Sequence, residues 1–97
     1  MAARNIVIAQ ATDADVLIKV GECVYYGFSL LGAAAGTIKV HDAVSVATAA
    51  DTNLIDVGAV SAASTADHSA PEGGIKVTSG LVVVVTGAAN LATVWYK

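Results

Sequence analysis

The groups able to do chemistry in this 97-residue chain are two histidines, eight acidic residues, one cysteine and scattered serines and threonines. The densest grouping, His41 and Asp42 with Ser45, has the side-chain types of a base, an orienting acid and a nucleophile. No motif stands behind it. A Gly-x-Ser-x-Gly elbow is absent, and His41 is the outward member of the alternating run Ile38-Lys39-Val40-His41. His68 lies in a polar stretch, so both histidines read as solvated surface groups. Asp13 with Asp15, and Asp51 with Asp56, offer oxygen ligands to a hard cation, yet neither pair has calcium-loop spacing, and short acidic side chains suit turns. Cys23 is alone, which rules out an intrachain disulfide and a cysteine-held zinc and leaves it as a small buried hydrophobe. Gly32 to Gly36 lacks the Lys and Ser/Thr of a phosphate loop. Tyr25, Tyr26, Phe28, Trp95 and Tyr96 have the flat faces and polar tips that suit a sugar or peptide platform, but all five fall inside strand-like runs, which favours core and interface packing. The expectation is therefore a non-enzyme without catalytic residues, cofactor or metal.

The elements around these groups read as strands. Asn5 to Gln10 and Val16 to Val20 are β-rich runs joined by a turn or sheet-crossing loop, and Cys23 to Leu31 is a longer candidate whose Gly27 marks a bulge. Ile38 to His41 alternates cleanly, 43–53 reads as an irregular loop or one helical turn, and Leu54 to Val60 returns to strand character. Ser61 to Gly74 is the best exposed loop, followed by Ile75 to Thr78 and a C-terminal hairpin, Gly80 to Lys97, turning at Gly87-Ala88-Ala89-Asn90. The first arm of that hairpin, Leu81 to Val85, is apolar at every position. Successive strand side chains face opposite ways, so both of its faces need cover. Seven or eight short strands with regular turn signals predict an all-β fold, an antiparallel, jelly-roll-like β-sandwich occupying residues 1–97 as a single domain.

Composition bounds the partners. Hydrophobic residues make up 56% of the chain and charged residues 13%, against roughly 25% in an ordinary soluble domain. Much of the apolar content is Ala, so the mean hydropathy of +0.69 overstates the core, and a homo-oligomer is expected to supply the missing stability. Five scattered basic residues and a net charge of −3 argue against nucleic acid. Ile6-Val7-Ile8 is too short for the centre of a secretion signal, so the mature chain is expected to begin near residue 1. The stretch from Cys23 to Ile38 carries three glycines and falls short of a bilayer span of about 20 residues, so no membrane partner is expected.

A cysteine-poor, Ala/Gly/Val-rich β chain carrying Gly73-Gly74-Ile75-Lys76-Val77-Thr78-Ser79-Gly80-Leu81-Val82-Val83-Val84-Val85-Thr86-Gly87 and Val94-Trp95-Tyr96 resembles the capsid decoration (cement) proteins of tailed bacteriophages and related head-fibre or tail-tip modules. That resemblance implies a non-enzymatic protein made in the host cytoplasm, trimeric, bound to the major capsid protein on the outer face of the virion head. Leu81, Val82, Val83, Val84, Val85, Trp95 and Tyr96 are then the expected subunit interface. The expected capsid contacts lie in residues 1–5, through Arg4 and Asn5, or in loop 61–74, through Asp67, His68 and Glu72. The alternative is a receptor- or glycan-binding module of a head fibre or tail tip, using the aromatics or loop 61–74. A small hydrolase built on His41 or His68 ranks far behind both.

Overall fold

β-Branched and aromatic runs broken by Gly, Ser and Asp turns fold into strands connected in space more intricately than in sequence. The computed structural model describes residues 4–9, 14–70, 73–87 and 90–97. Among them are nine strands: β1 (Arg4–Ala9), β2 (Ala14–Val20), β3 (Cys23–Gly32), β4 (Gly36–Asp42), β5 (Leu54–Val60), β6 (Ser64–Ser69), β7 (Ile75–Val77), β8 (Gly80–Val85) and β9 (Leu91–Tyr96). One sheet has the order β1-β9-β3-β6, with β7 also paired to β3, and the other has the order β2-β8-β4-β5. Every pairing is antiparallel. The two sheets pack face to face as a small all-β sandwich, as the strand pattern predicts.

The core lies between the sheets. Tyr25, Phe28 and Leu30 of β3 and Ala92 and Val94 of β9 meet Ile38 and Val40 of β4 and Leu81, Val83 and Val85 of β8. Each large apolar side chain so buried contributes about 1.5–3 kcal/mol of transfer free energy. Gly58 of β5 makes room for Phe28, because a Cβ there would run into the phenyl ring. In β3, the ladder to β9 shifts register between Tyr25 and Gly27, the bulge expected at that glycine, and Gly27 has φ +144°.

Three expectations need correction. The C-terminal hairpin does not exist: β8 pairs with β2 and β4, whereas β9 pairs with β1 and β3, so the chain crosses from one sheet to the other between them. Fully buried Asn90 fixes that crossing. Its amide donates to the Thr86 carbonyl at 3.0 Å, and its Oδ1 accepts the Ala34 N–H at 3.0 Å, tying two inter-sheet connections together. Turn chemistry marks where a chain reverses but leaves open which strand the returning segment joins. Loop 61–74 contains β6, whose polar Ser-Thr-Ala-Asp-His-Ser sequence hides a strand on the edge of its sheet, paired from Gly27 to Gly32.

The third correction concerns His41, which faces outward but is only 4% exposed. Segment 43–53, two 3-10 turns at Val46–Thr48 and Asp51–Asn53, lies over the outer face of the β2-β8-β4-β5 sheet and touches β2. His41 Nδ1 lies 3.0 Å from both the Ala50 carbonyl and Asn53 Oδ1. Both partners are acceptors, so Nδ1 carries the proton. Asn53 is oriented by accepting the Ala50 N–H and donating to the Thr48 carbonyl, each at 2.9 Å.

These placements separate the two faces of β8. Val83 points into the core and is fully buried, while Val84 is half-buried on the outer face between Asp15 and Lys39. Val83→Asp should abolish folding, with a cost above about 4 kcal/mol, because an unpaired carboxylate would enter the core. Val84→Asp should retain the native fold with a loss of about 1 kcal/mol. Circular dichroism and urea unfolding of the two variants distinguish these outcomes.

Candidate functional site

The polar residues singled out in the sequence disperse into separate networks. His41 serves segment 43–53, whereas the Asp42 carboxylate accepts the Ser79 N–H at 2.8 Å, the Thr78 N–H at 3.1 Å, the Thr78 hydroxyl at 3.0 Å and the Gly80 N–H at 3.4 Å. Burial pushes this carboxyl up, but these four donors more than reverse the effect and hold it below the usual carboxylate range. Asp42 thus clamps the β7–β8 turn. Ser45 bonds within its own turn to Thr48. His41, Asp42 and Ser45 therefore form no nucleophilic triad. Cys23 is free and buried, and burial first among the causes raises its thiol pKa. Asp13 lies outside the described residues, and Asp51 is exposed in the second 3-10 turn, away from the network that occupies Asp56.

Asp56 gathers a cluster that sequence spacing does not suggest. It sits on β5 in one sheet; Tyr25 and His68 come from β3 and β6 in the other. The Tyr25 hydroxyl donates to Asp56 Oδ2 at 2.7 Å, the Val57 N–H donates to Oδ1 at 2.9 Å, and His68 Nδ1 stands 2.9 Å from Oδ1. Facing a carboxylate, His68 Nδ1 is the protonated nitrogen. Its ring also tilts against Phe28, with centroids 4.7 Å apart. A carboxylate holding Nδ1 resembles two-thirds of a hydrolytic triad, but strand alternation sends the adjacent Ser69 and Asp67 to the opposite face of β6. The cluster laces the open edge of the sandwich, and Tyr25 is a fully buried core residue rather than a platform aromatic.

A concave feature among the described residues lies on the outer face of the β1-β9-β3-β6 sheet. It is an open groove of about 650 Å³ lined by Tyr26, Ser29, Asp67, Ser69 and Trp95, with Phe28 and His68 completing the lining. Ladder register explains the grouping. Gly27 stands between Trp95 on β9 and Ser69 on β6, and Ser29 stands beside Asp67. Glycine leaves no side chain at the centre of the row, and the bulge turns Tyr26 toward Gly74, where a Cβ would meet its ring. The sequence signals for this site are the aromatics Tyr26, Phe28 and Trp95 of the candidate sugar or peptide platform and the bulge-marking Gly27, with Asp67 and His68 singled out separately as contact residues of loop 61–74. Of its polar residues, Asp67 and Ser69 come from β6, hidden in the expected loop, and Ser29 from β3.

Other expected site residues fall as follows. Leu81, Val83 and Val85 belong to the core, Val82 is fully buried on the opposite face, and only Val84 of that run keeps exposed surface. Tyr96 is 8% exposed and packs in the core, while Trp95 is half-buried on the outer face. Arg4 and Asn5 sit on β1 opposite Tyr96 and Trp95, at the other edge of the sheet from Asp67 and His68 on β6. Glu72 lies outside the described residues. No group of three or more metal-ligating side chains occurs among the described residues, and no helix there is long and apolar enough to cross a membrane.

No family model matches the chain, and no curated protein matches it. Among solved structures, PirA superposes over 98% of this chain and 93% of its own length with a TM-score of 0.48 and 15% identity, a likeness too low to carry an argument.

The Tyr25–Asp56 bond gives a pH test. Burial, then the hydrogen bond and charge of Asp56, raise the Tyr25 pKa far above its ordinary value of about 10. A raised folded-state value means stability that is complete below the unfolded pKa and lost as pH rises beyond it. Tyr25→Phe should cost about 1–2 kcal/mol at neutral pH. Between about pH 10 and 12 the gap to wild type should narrow, as read by urea unfolding.

Proposed function

We propose that this protein is a non-catalytic structural component of a tailed-bacteriophage particle, a decoration protein that binds the outside of the head as a trimer and reinforces contacts between major capsid protein subunits. The observation that carries this reading is the apolar surface left on a chain with so few charges. Leu31 is 52% exposed on the outer face of one sheet; Val57, at 45%, and Leu17, at 37%, are exposed on the outer face of the other. Val44 and Val46 on segment 43–53 are exposed as well. Such side chains on opposite faces suit a module that meets a sister subunit on one side and a shell on another. Each contact is small, and three linked subunits engaging together multiply their strength. The polar clusters support the same reading, since Asp42, Asp56 and His41 are all occupied in holding strands and turns together. Synthesis in the host cytoplasm and a final location on the virion exterior belong to this reading.

Cryo-electron microscopy of the particle that co-purifies with the protein tests it. The expected result is density at three-fold or quasi-three-fold positions on a shell. Leu31→Asp and Val57→Asp should each leave a folded chain, and at least one should reduce head occupancy by about tenfold or more, as one disrupted contact repeated over three subunits would. Density confined to a fibre or tail tip, or a free oligomer with no particle, contradicts the proposal.

A further inference from the structure

The geometry points to the groove on the outer face of the β1-β9-β3-β6 sheet as a binding site for a neutral saccharide, an inference that holds whether or not the protein decorates a head. Its volume of about 650 Å³ falls within the range of small-ligand clefts, about 300–1,000 Å³. The groove is open along one side, which suits a sugar unit whose neighbours in a glycan continue into solvent.

Its two halves match the two halves of a pyranose. Trp95 and Tyr26 supply apolar, polarisable surface for the C–H face of a sugar ring. Trp95 is held in place because β9 is hydrogen-bonded on both edges, by β1 and β3. Tyr26 is set by the bulge and by its packing over Gly74, so little side-chain freedom is lost on binding. Gly27 stands between Trp95 and Ser69 in the ladder, and because a Cβ there would strike the His68 carbonyl, its bare backbone lets β6 pack close and brings Ser69 and Asp67 beside the aromatic pair. Asp67, Ser29 and Ser69 provide a carboxylate and two hydroxyls along the other side. A carboxylate accepts strong hydrogen bonds from adjacent sugar hydroxyls, and serine hydroxyls both donate and accept.

Charge narrows the class. The groove carries the Asp67 carboxylate and no Lys or Arg, and its one imidazole, His68, is engaged by the Asp56 carboxylate, in a chain of net charge −3. Sialic acids, uronic acids and phosphorylated sugars would meet repulsion without a compensating cation. Neutral hexoses and N-acetylhexosamines fit.

Trp95 is the only tryptophan in the chain, so its fluorescence reports on the groove directly. The full-length protein is titrated with glucose, galactose and N-acetylglucosamine, with their neutral oligosaccharides, and with sialyllactose. A neutral sugar should change the emission saturably, with a Kd of about millimolar or tighter. A response to oligosaccharides alone identifies a glycan chain as the ligand, whereas equal response to the monosaccharide identifies the free sugar; either supports the site. Exposed Asp67→Ala should weaken binding at least about tenfold without changing the circular dichroism, and Trp95→Ala, followed by calorimetry, should abolish it. No response to any neutral sugar up to about ten millimolar, a preference for sialyllactose, or affinity unchanged in Asp67→Ala would overturn the assignment.

Discussion

The structure depends on the two-sided burial of β8. This strand is hydrogen-bonded on both edges, by β2 and β4, and its Leu81, Val82, Val83 and Val85 are fully buried. The inward set, Leu81, Val83 and Val85, needs only the facing sheet. Val82 needs a second cover, and the chain provides it by routing segment 43–53 across the outer face next to it. His41 stands beside Val82 in the ladder and binds that segment through Ala50 and Asn53. One buried histidine thus joins sheet and cover, and its own polar nitrogen is satisfied by the same contacts, as a buried polar group requires.

The same demand shapes the rest of the sandwich. With β8 committed to one sheet, β9 must cross to the other, and Asn90 makes that crossing by bonding to Thr86 and to Ala34. Asp42 clamps the approach to β8 through the Thr78, Ser79 and Gly80 amides, and Asp56 closes the far edge by joining Tyr25 and His68. Polar side chains in this protein act as fasteners between elements distant in sequence. The surface left for recognition is therefore largely the sheet faces, with their exposed aliphatic side chains and the groove between Tyr26 and Trp95.

Much of the architecture is legible before folding. Alternation identifies Ile38 and Val40 as core, the uninterrupted run at 81–85 announces cover on both faces, and Gly27 announces a bulge. What escapes is long-range choice. Nothing local in Gly87 to Asn90 says that β9 pairs with β1 and β3, because turn residues encode reversal and not partnership. β6 escapes because an edge strand facing solvent gains little from apolar residues and carries Thr, Asp and Ser instead. The groove inherits that blindness: Trp95 and Tyr26 are conspicuous, and Ser29 shares a strand with Tyr26, but Asp67 and Ser69 join them only through a pairing with β6 that no periodicity betrays.

The most direct measurement is amide hydrogen exchange at β8 and segment 43–53 over a wide range of protein concentration. Closure by the chain's own segment predicts protection of β8 and of the Thr48, Ala49 and Asn53 amides, which bond to Ser45, Val46 and Ala50, at a level that does not change with concentration. Protection that disappears on dilution would contradict it, and would show that the outer face of β8 is covered by another subunit.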